Sequence, residues 1–351
     1  APPRHFRRIL RAMPRIVPAL PALPALQALR VLIAVACVSV AASLLLRAQA
    51  PAATPPPAIA FDSVPNVLKL PPDMNLGEVA GVAVNSKGHI FIYHRSGHTE
   101  LLEFDQTGKF VRQIGKDLYG FDFAHVVRID KDDNIWCVDE GSNMVIKFNP
   151  EGHVVLTLGR KWELVEGRVP QEEAAKLPPR TNSFNRPTDV TWDPAGNIYV
   201  ADGYNNSRVV KLDKNGKWLK TWGERGTGPG QFNIPHTIAS DKDGNIYVGD
   251  RTNRRIQVFD SNGTFLRQFT GIDQPWAICI TPGANQVLFS SDANSGKIYK
   301  LDLTGKILGA FGSYGKQPKE FGWIHEITCP SATELYVGEL LNWRMQKLVL
   351  K

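Results

Sequence analysis

Pro235-His236-Thr237-Ile238-Ala239-Ser240 runs into a polar turn, Asp241 to Asn245, and then into Ile246-Tyr247-Val248-Gly249-Asp250. Beyond it come Arg255-Ile256-Gln257-Val258-Phe259, a second turn at Asp260 to Gly263, and Thr264-Phe265-Leu266-Arg267-Gln268-Phe269. Each run is short and rich in β-branched or aromatic residues. The Asp, Asn and Gly between them supply the turn conformations that join antiparallel strands. The unit therefore reads as four strands in succession.

The same unit recurs. Matching second strands open at Ile90, Ile135, Ile198, Ile246, Val287 and Leu335, a period of 41 to 48 residues broken by one 63-residue gap. That gap holds a charged, Pro-containing insertion from about Arg160 to Asn185, expected to form a rim loop. A four-stranded repeat of this length is the signature of a propeller blade, and six copies predict an all-β, six-bladed β-propeller. The last copy ends at Lys351 after its third strand. A segment near Val64 to Leu70 is expected to add the missing fourth strand and so remove an open sheet edge.

Counting back ten residues from Ile135, Ile246 and Leu335 reaches His125, His236 and His325, whereas the intervening copies carry Ala80, Thr188 and Ala277 there. Histidine thus occupies alternate repeats. In a six-bladed ring, alternate first strands lie a third of a turn apart, so three imidazoles face one another across the channel. Three nitrogen donors with a free position describe catalytic rather than structural zinc. A lone strand histidine is ordinarily a packing residue, and the shared phase is what separates these three from His89, His94, His98 and His153, for which surface positions are the default. Arg95 and Arg251 share a second phase, five residues past the start of the second strand, at the end expected to border the channel mouth. A guanidinium there suits a carboxylate. Tyr204 lies one position further along its own blade, where a phenol beside a divalent cation is a candidate base.

Residues 1–50 contain seven arginines and no acid, an apolar run from Val31 to Leu46, and Ala48-Gln49-Ala50. They read as a signal peptide or N-terminal anchor, followed by a Pro/Ala-rich linker at 51–63 and the propeller at 64–351. The expected location is secreted or periplasmic, with membrane attachment only through an uncleaved leader. Without those seven arginines, the remaining 34 basic residues equal the 34 acidic ones, which argues against nucleic acid or an anionic membrane as partner. Cys137, Cys279 and Cys329 show no metal spacing and read as buried small apolar side chains rather than a disulfide scaffold. The stretch Gly223 to Gly230 lacks the Gly-Lys-Ser/Thr ending of a phosphate loop and reads as an interblade connection.

The repeat itself is similar to the NHL repeat. Gly81-Val82-Ala83-Val84 with His94-Arg95, Pro187-Thr188-Asp189-Val190 with Asp202-Gly203-Tyr204, Gly230-Gln231-Phe232 with Pro235-His236, and Asp250-Arg251 more specifically resemble the peptidyl-α-hydroxyglycine α-amidating lyases, from Val79 to the C-terminus. The resemblance implies a catalytic zinc on His125, His236 and His325, Tyr204 as base, and Arg95 and Arg251 for substrate binding and catalysis. It implies a substrate that is a small-molecule or peptide α-hydroxyglycine, split into an amide and glyoxylate by a monomeric enzyme. It also implies a structural calcium on the Val82 and Val127 carbonyls and the Glu326 carboxylate, where the family has aspartate. The family's animal members pair cysteines where this chain has Asn185 with Asn205 and Tyr247 with Val258, and Trp323 stands where a methionine lies near the zinc. No copper monooxygenase module accompanies these motifs, so the expectation is that another protein supplies the hydroxylated substrate or that the substrate is a different α-hydroxy-α-amido acid. Two other readings accompany this one: a non-catalytic NHL propeller that binds protein or glycan partners, and a metal-dependent lactonase or esterase. Three histidines favour a softer ion than the calcium of such hydrolases.

Overall fold

The computed structural model describes residues 55–95, 97–161, 173, 176 and 178–351. The leader and most of the insertion expected at Arg160 to Asn185 lie outside the described residues. No helix among the described residues is long and apolar enough to cross a membrane.

Every named element is a strand; 24 of the 26 strands among the described residues form six four-stranded antiparallel blades, and Ser313–Tyr314 pairs in parallel with Glu320–Phe321. Blades one to five follow chain order. Blade one is Glu78–Val84, Ile90–Arg95, Thr99–Phe104 and Phe110–Ile114. Blade two is Ala124–Ile129, Ile135–Asp139, Met144–Phe148 and Val154–Gly159. Blade three is Asp189–Trp192, Ile198–Asp202, Arg208–Leu212 and Trp218–Trp222. Blade four is Pro235–Ser240, Ile246–Asp250, Arg255–Phe259 and Phe265–Phe269. Blade five is Ala277–Ile280, Leu288–Asp292, Lys297–Leu301 and Ile307–Phe311. Blade six has Ile324–Thr328, Glu334–Glu339 and Arg344–Leu350, and Phe61–Val64 pairs antiparallel with the last of these. That added strand overlaps the Val64 to Leu70 segment named from sequence only at Val64 and otherwise lies N-terminal to it. The chain also joins the propeller before residue 64, because Ile59 donates its N–H to the Ala310 carbonyl and Ala310 donates to Pro57.

First strands of neighbouring blades touch in turn around the ring, so they line the channel. Between the blades lie separate apolar clusters, each built from two facing sheets; one joins Trp136 and Val138 to Val190 and Ile198, another Tyr247 and Ile256 to Ile278 and Leu288. Truncating one such buried aromatic costs about 3–5 kcal/mol, so the stacking of blades rather than any single sheet holds the ring. In blades two, three and four the turn between first and second strands is tightened by its opening aspartate, Asp130, Asp193 or Asp241. In blade four the Asp241 carboxylate accepts the N–H groups of Asp243 and Asn245, and Gly244 takes φ 82°.

Cys137 is buried and free as expected, but Cys279 and Cys329 form a disulfide between blades five and six. Reading them as unpaired apolar residues missed that adjacent first strands bring two distant positions side by side, with Cα atoms 6.1 Å apart. His94, expected at the surface, is fully buried, with its Nδ1 receiving the Gly77 N–H and its Nε2 3.2 Å from Glu100. The glycine-rich stretch is an interblade connection as expected, and Arg255 donates to the carbonyls of Thr227 and Gly228 within it and of Gln231 just after it.

A candidate metal centre at the channel mouth

The inner-strand backbone aims the histidines. In blades two, four and six the pairing with the second strand slips at one residue: Ala124 and Val126 pair with Asp139 and Val138, Pro235 and Thr237 with Asp250 and Gly249, Ile324 and Glu326 with Glu339 and Gly338. The residue left out is His125, His236 or His325, so each ligand candidate is the extra residue of a β-bulge, a device that re-aims a side chain. A carboxylate at the end of each second strand fixes the approach to the bulge. Asp139 accepts the N–H groups of Asp122 and Phe123, Asp250 that of Asn233, and Glu339 that of Gly322.

The three rings converge. Their exposures are 0%, 1% and 2%, their centroids lie 4.8 Å (His125–His236), 4.6 Å (His125–His325) and 5.2 Å (His236–His325) apart, and one nitrogen from each falls within 4.8 Å of the others. His236 donates from Nδ1 to the Trp276 carbonyl and His325 from Nδ1 to the Ala80 carbonyl, both at 2.7 Å. This fixes the tautomer with the Nε2 lone pair toward the centre, the arrangement of a metal-binding histidine. His125 turns Nδ1 toward the Thr188 backbone without a full hydrogen bond. All three imidazoles are held neutral. Burial lowers His125 well below its ordinary value with help from His325, His236 and Arg95; burial and Arg251 do the same for His236; burial and Arg95 take His325 to about 3. Neutral, buried, convergent imidazoles fit a divalent ion of the zinc kind.

Tyr204 Oη stands 3.2 Å from His125 Nε2 and 3.1 Å from His236 Nε2. Burial and Glu140 raise its phenol to about 12, against the opposing pull of Arg251, Arg186 and Arg95. Arg251 lays its guanidinium over Trp276 at 4.4 Å and over Tyr204 at 5.6 Å, with no hydrogen bond to another side chain among the described residues. Arg95 is near enough to depress the histidines but is engaged, donating to Glu78 at 2.7 Å and to the Ala124 carbonyl at 3.0 Å over the Phe123 ring. It forms one wall of a 570 Å³ cleft that also includes Phe123 and Trp343. Trp323 reaches the site through Trp276, its ring 5.5 Å away.

Sequence reasoning missed two participants. Glu140 is 3% exposed; one oxygen pairs with Arg186 and the other, without a hydrogen-bond partner, lies 3.6 Å from His125 Nε2. Arg186 in turn sits 4.8 Å over the Tyr204 ring. A signal existed for Glu140, which falls five residues past Ile135, the same phase as Arg95 and Arg251. Arg186 shares no repeat phase with them. In place of the cysteine pairs that the resemblance flagged as absent, Asn205 donates to Asn185 at 2.8 Å, and Tyr247 faces Val258 across two strands.

The calcium set expected at Val82, Val127 and Glu326 does not fit. The buried Glu326 carboxylate accepts the Val127 N–H through Oε2 and holds Oε1 3.1 Å from Arg128 Nη1. Burial pushes Glu326 well up and Arg128 pulls it back, while for Arg128 burial is outweighed by Asp189 and Glu326, which raise it. A divalent ion on that carboxylate would stand roughly 5 Å from a guanidinium, a repulsion of roughly 6 kcal/mol at an effective dielectric of about 20. The position already holds a cation.

Comparison with known proteins agrees with the repeat. The NHL repeat model matches residues 184–212 and 232–259. The peptidyl-glycine alpha-amidating monooxygenase B of Xenopus laevis is 31% identical over 313 residues, covering 76% of this chain and 33% of that protein. The probable peptidyl-alpha-hydroxyglycine alpha-amidating lyase of Caenorhabditis elegans is 32% identical over 169 residues, 42% of this chain and 45% of its own. The corresponding lyase 1 of Drosophila melanogaster is 26% identical over 330 residues, with 79% and 58% covered. The chain thus spans about a third of the length of the amphibian protein. Among solved structures, a streptogramin B lyase superposes with TM-score 0.57 at 14% identity over 84% of this chain and 98% of that one, a likeness of fold. The chain is an NHL-repeat six-bladed β-propeller that resembles the peptidyl-α-hydroxyglycine α-amidating lyases.

Proposed function

We propose that this protein is a zinc-dependent lyase that cleaves an N-acyl- or peptidyl-α-hydroxyglycine into a terminal amide and glyoxylate. The observation that carries the reading is Tyr204 Oη wedged between the Nε2 atoms of His125 and His236, with the free Arg251 guanidinium over the same ring. His125, His236 and His325 would hold the ion, which when bound supplies a local positive charge that acidifies a nearby hydroxyl. Arg251 takes the substrate carboxylate, with Arg95 adding positive potential from its anchored position. Tyr204 removes the carbinol proton. The oxygen's electrons form the aldehyde C=O, the C–N bond breaks with its pair on nitrogen, and Tyr204 returns its proton to the departing amide. Atoms balance without water.

Phe61–Val64 serves as the strand that closes the ring. The Cys279–Cys329 bridge supports an exported, oxidising location, in keeping with the Arg-rich, acid-free composition of residues 1–50. The reading is tested by metal analysis of the purified protein and by glyoxylate release from N-benzoyl-α-hydroxyglycine, before and after chelation. Metal-free protein, or turnover indifferent to chelator, defeats it.

A further inference from the structure

One layer along the channel from the imidazoles, a single guanidinium gathers the inner strands. Arg128 grips Asp189 with two hydrogen bonds, 2.9 Å from Nε and 2.6 Å from Nη2, and reaches the carbonyls of Ile327 at 3.3 Å and Ile278 at 3.4 Å. Its Nη1 also lies 3.1 Å from Glu326. Asp189 in turn accepts from the Thr237 hydroxyl at 2.8 Å and from the Ile238 N–H at 3.0 Å, and the same hydroxyl accepts the Ile278 N–H. Glu326 takes the Val127 N–H and a backbone hydrogen bond from Val82. Blades one to six are all represented in this one cluster. Moreover Thr237 and Glu326 directly follow His236 and His325, and Arg128 comes three residues after His125. Whatever holds this layer also sets the spacing of the three rings.

We propose that Arg128 is a built-in cation standing where a structural calcium ion would otherwise sit, so that this propeller holds its channel together without calcium. Geometry favours the guanidinium for this part. It offers five donors in a fixed plane, enough to meet two carboxylates and two carbonyls from different blades at once. A calcium ion would need six to eight oxygens, whereas here Glu326 Oε2 accepts N–H groups and Oε1, which has no hydrogen-bond partner among the described residues, faces the Arg128 guanidinium at 3.1 Å. The inference is independent of the reaction assigned to the histidines, because its readouts are calcium content and unfolding temperature.

The test compares the parent protein with Arg128→Ser and Arg128→Lys. Calcium per chain is measured by elemental analysis, and unfolding is followed by circular dichroism in calcium-free buffer and with calcium at about 1 mM, where extracellular calcium sites fill. The parent should carry substoichiometric calcium and unfold at one temperature in both buffers. Arg128→Ser, left with two uncompensated buried carboxylates, should melt roughly 6–20 °C lower without calcium and recover part of that loss with it. Arg128→Lys keeps the charge and should not respond to calcium. Stoichiometric calcium in the parent, a calcium-dependent parent midpoint, or an Arg128→Ser protein as stable as the parent in both buffers overturns the proposal. Should Arg128→Ser fail to fold in either buffer, the parent's calcium content and the Arg128→Lys midpoints decide the matter.

Discussion

Replacing Tyr204 with phenylalanine removes one oxygen from the centre of the site and leaves the aromatic ring on which Arg186 and Arg251 rest. The hydroxyl meets only His125 Nε2 and His236 Nε2, at 3.2 and 3.1 Å. The phenol has one proton to donate to these two nitrogens, so about one neutral hydrogen bond, about 1 kcal/mol of stability, is lost, and the variant should fold and keep its metal. Its catalytic loss should be far larger. A positioned base contributes about 10²- to 10⁴-fold, or about 3–5.5 kcal/mol of barrier. With the substrate carboxylate assigned to Arg251 in the proposed function, the loss should fall on kcat and leave KM near the parent value. In the fold alone the phenol is raised to about 12, too weakly ionised at neutral pH to serve. The acid limb of the parent's kcat profile should therefore depend on which divalent ion is loaded, and it should vanish in Tyr204→Phe. The assay is glyoxylate release from N-benzoyl-α-hydroxyglycine, with metal per chain measured on the same samples. Turnover near the parent's with metal retained, or activity lost only in proportion to metal lost, refutes the assignment of Tyr204 as base.

Removing the guanidinium in Arg251→Ala should lower kcat/KM by about 10- to 150-fold, the value of a charged hydrogen bond, while metal content stays constant; an unchanged kcat/KM would assign the carboxylate to another group. Metal-stripped protein should lose stability as pH falls. The three rings are lowered in the fold, one to about 3, so unfolded chains bind more protons below about 6.5; the contribution is whole above that value and is lost toward the folded values, at up to about 1.4 kcal/mol per ring per pH unit. A flat denaturation midpoint from pH 6.5 to 5 would contradict the neutral assignment. Cys279→Ser with Cys329→Ser opens a bridge between positions 50 residues apart. By loop-closure entropy this should cost about 4 kcal/mol, and a reductant should reproduce the loss in the parent but not in the double variant.

The architecture was legible because a propeller is a one-dimensional repetition. Each blade restates the same apolar alternation, and blades two, three and four the same Asp-to-Asn turn, so counting Ile90, Ile135, Ile198, Ile246, Val287 and Leu335 counts blades. The histidines were legible for the same reason, since phase in the repeat is angle around the axis. Outside the repeat this logic stops. Cys279 with Cys329, and Glu140 with Arg186, meet through the packing of one blade on the next, although the members of each pair stand at different phases of the repeat.

Sequence alone therefore established the number of blades, the alternation that sends His125, His236 and His325 to one axis, and the phase shared by Arg95 and Arg251. Tertiary structure decided the rest. Left-out residues in the strand pairing turn the three rings inward, because a bulge is a property of two strands and not of one. The cation in the channel is likewise invisible along the chain. Arg128 becomes the partner of Asp189 and Glu326 only when three blades close on the same point, where a buried carboxylate has to find a positive charge.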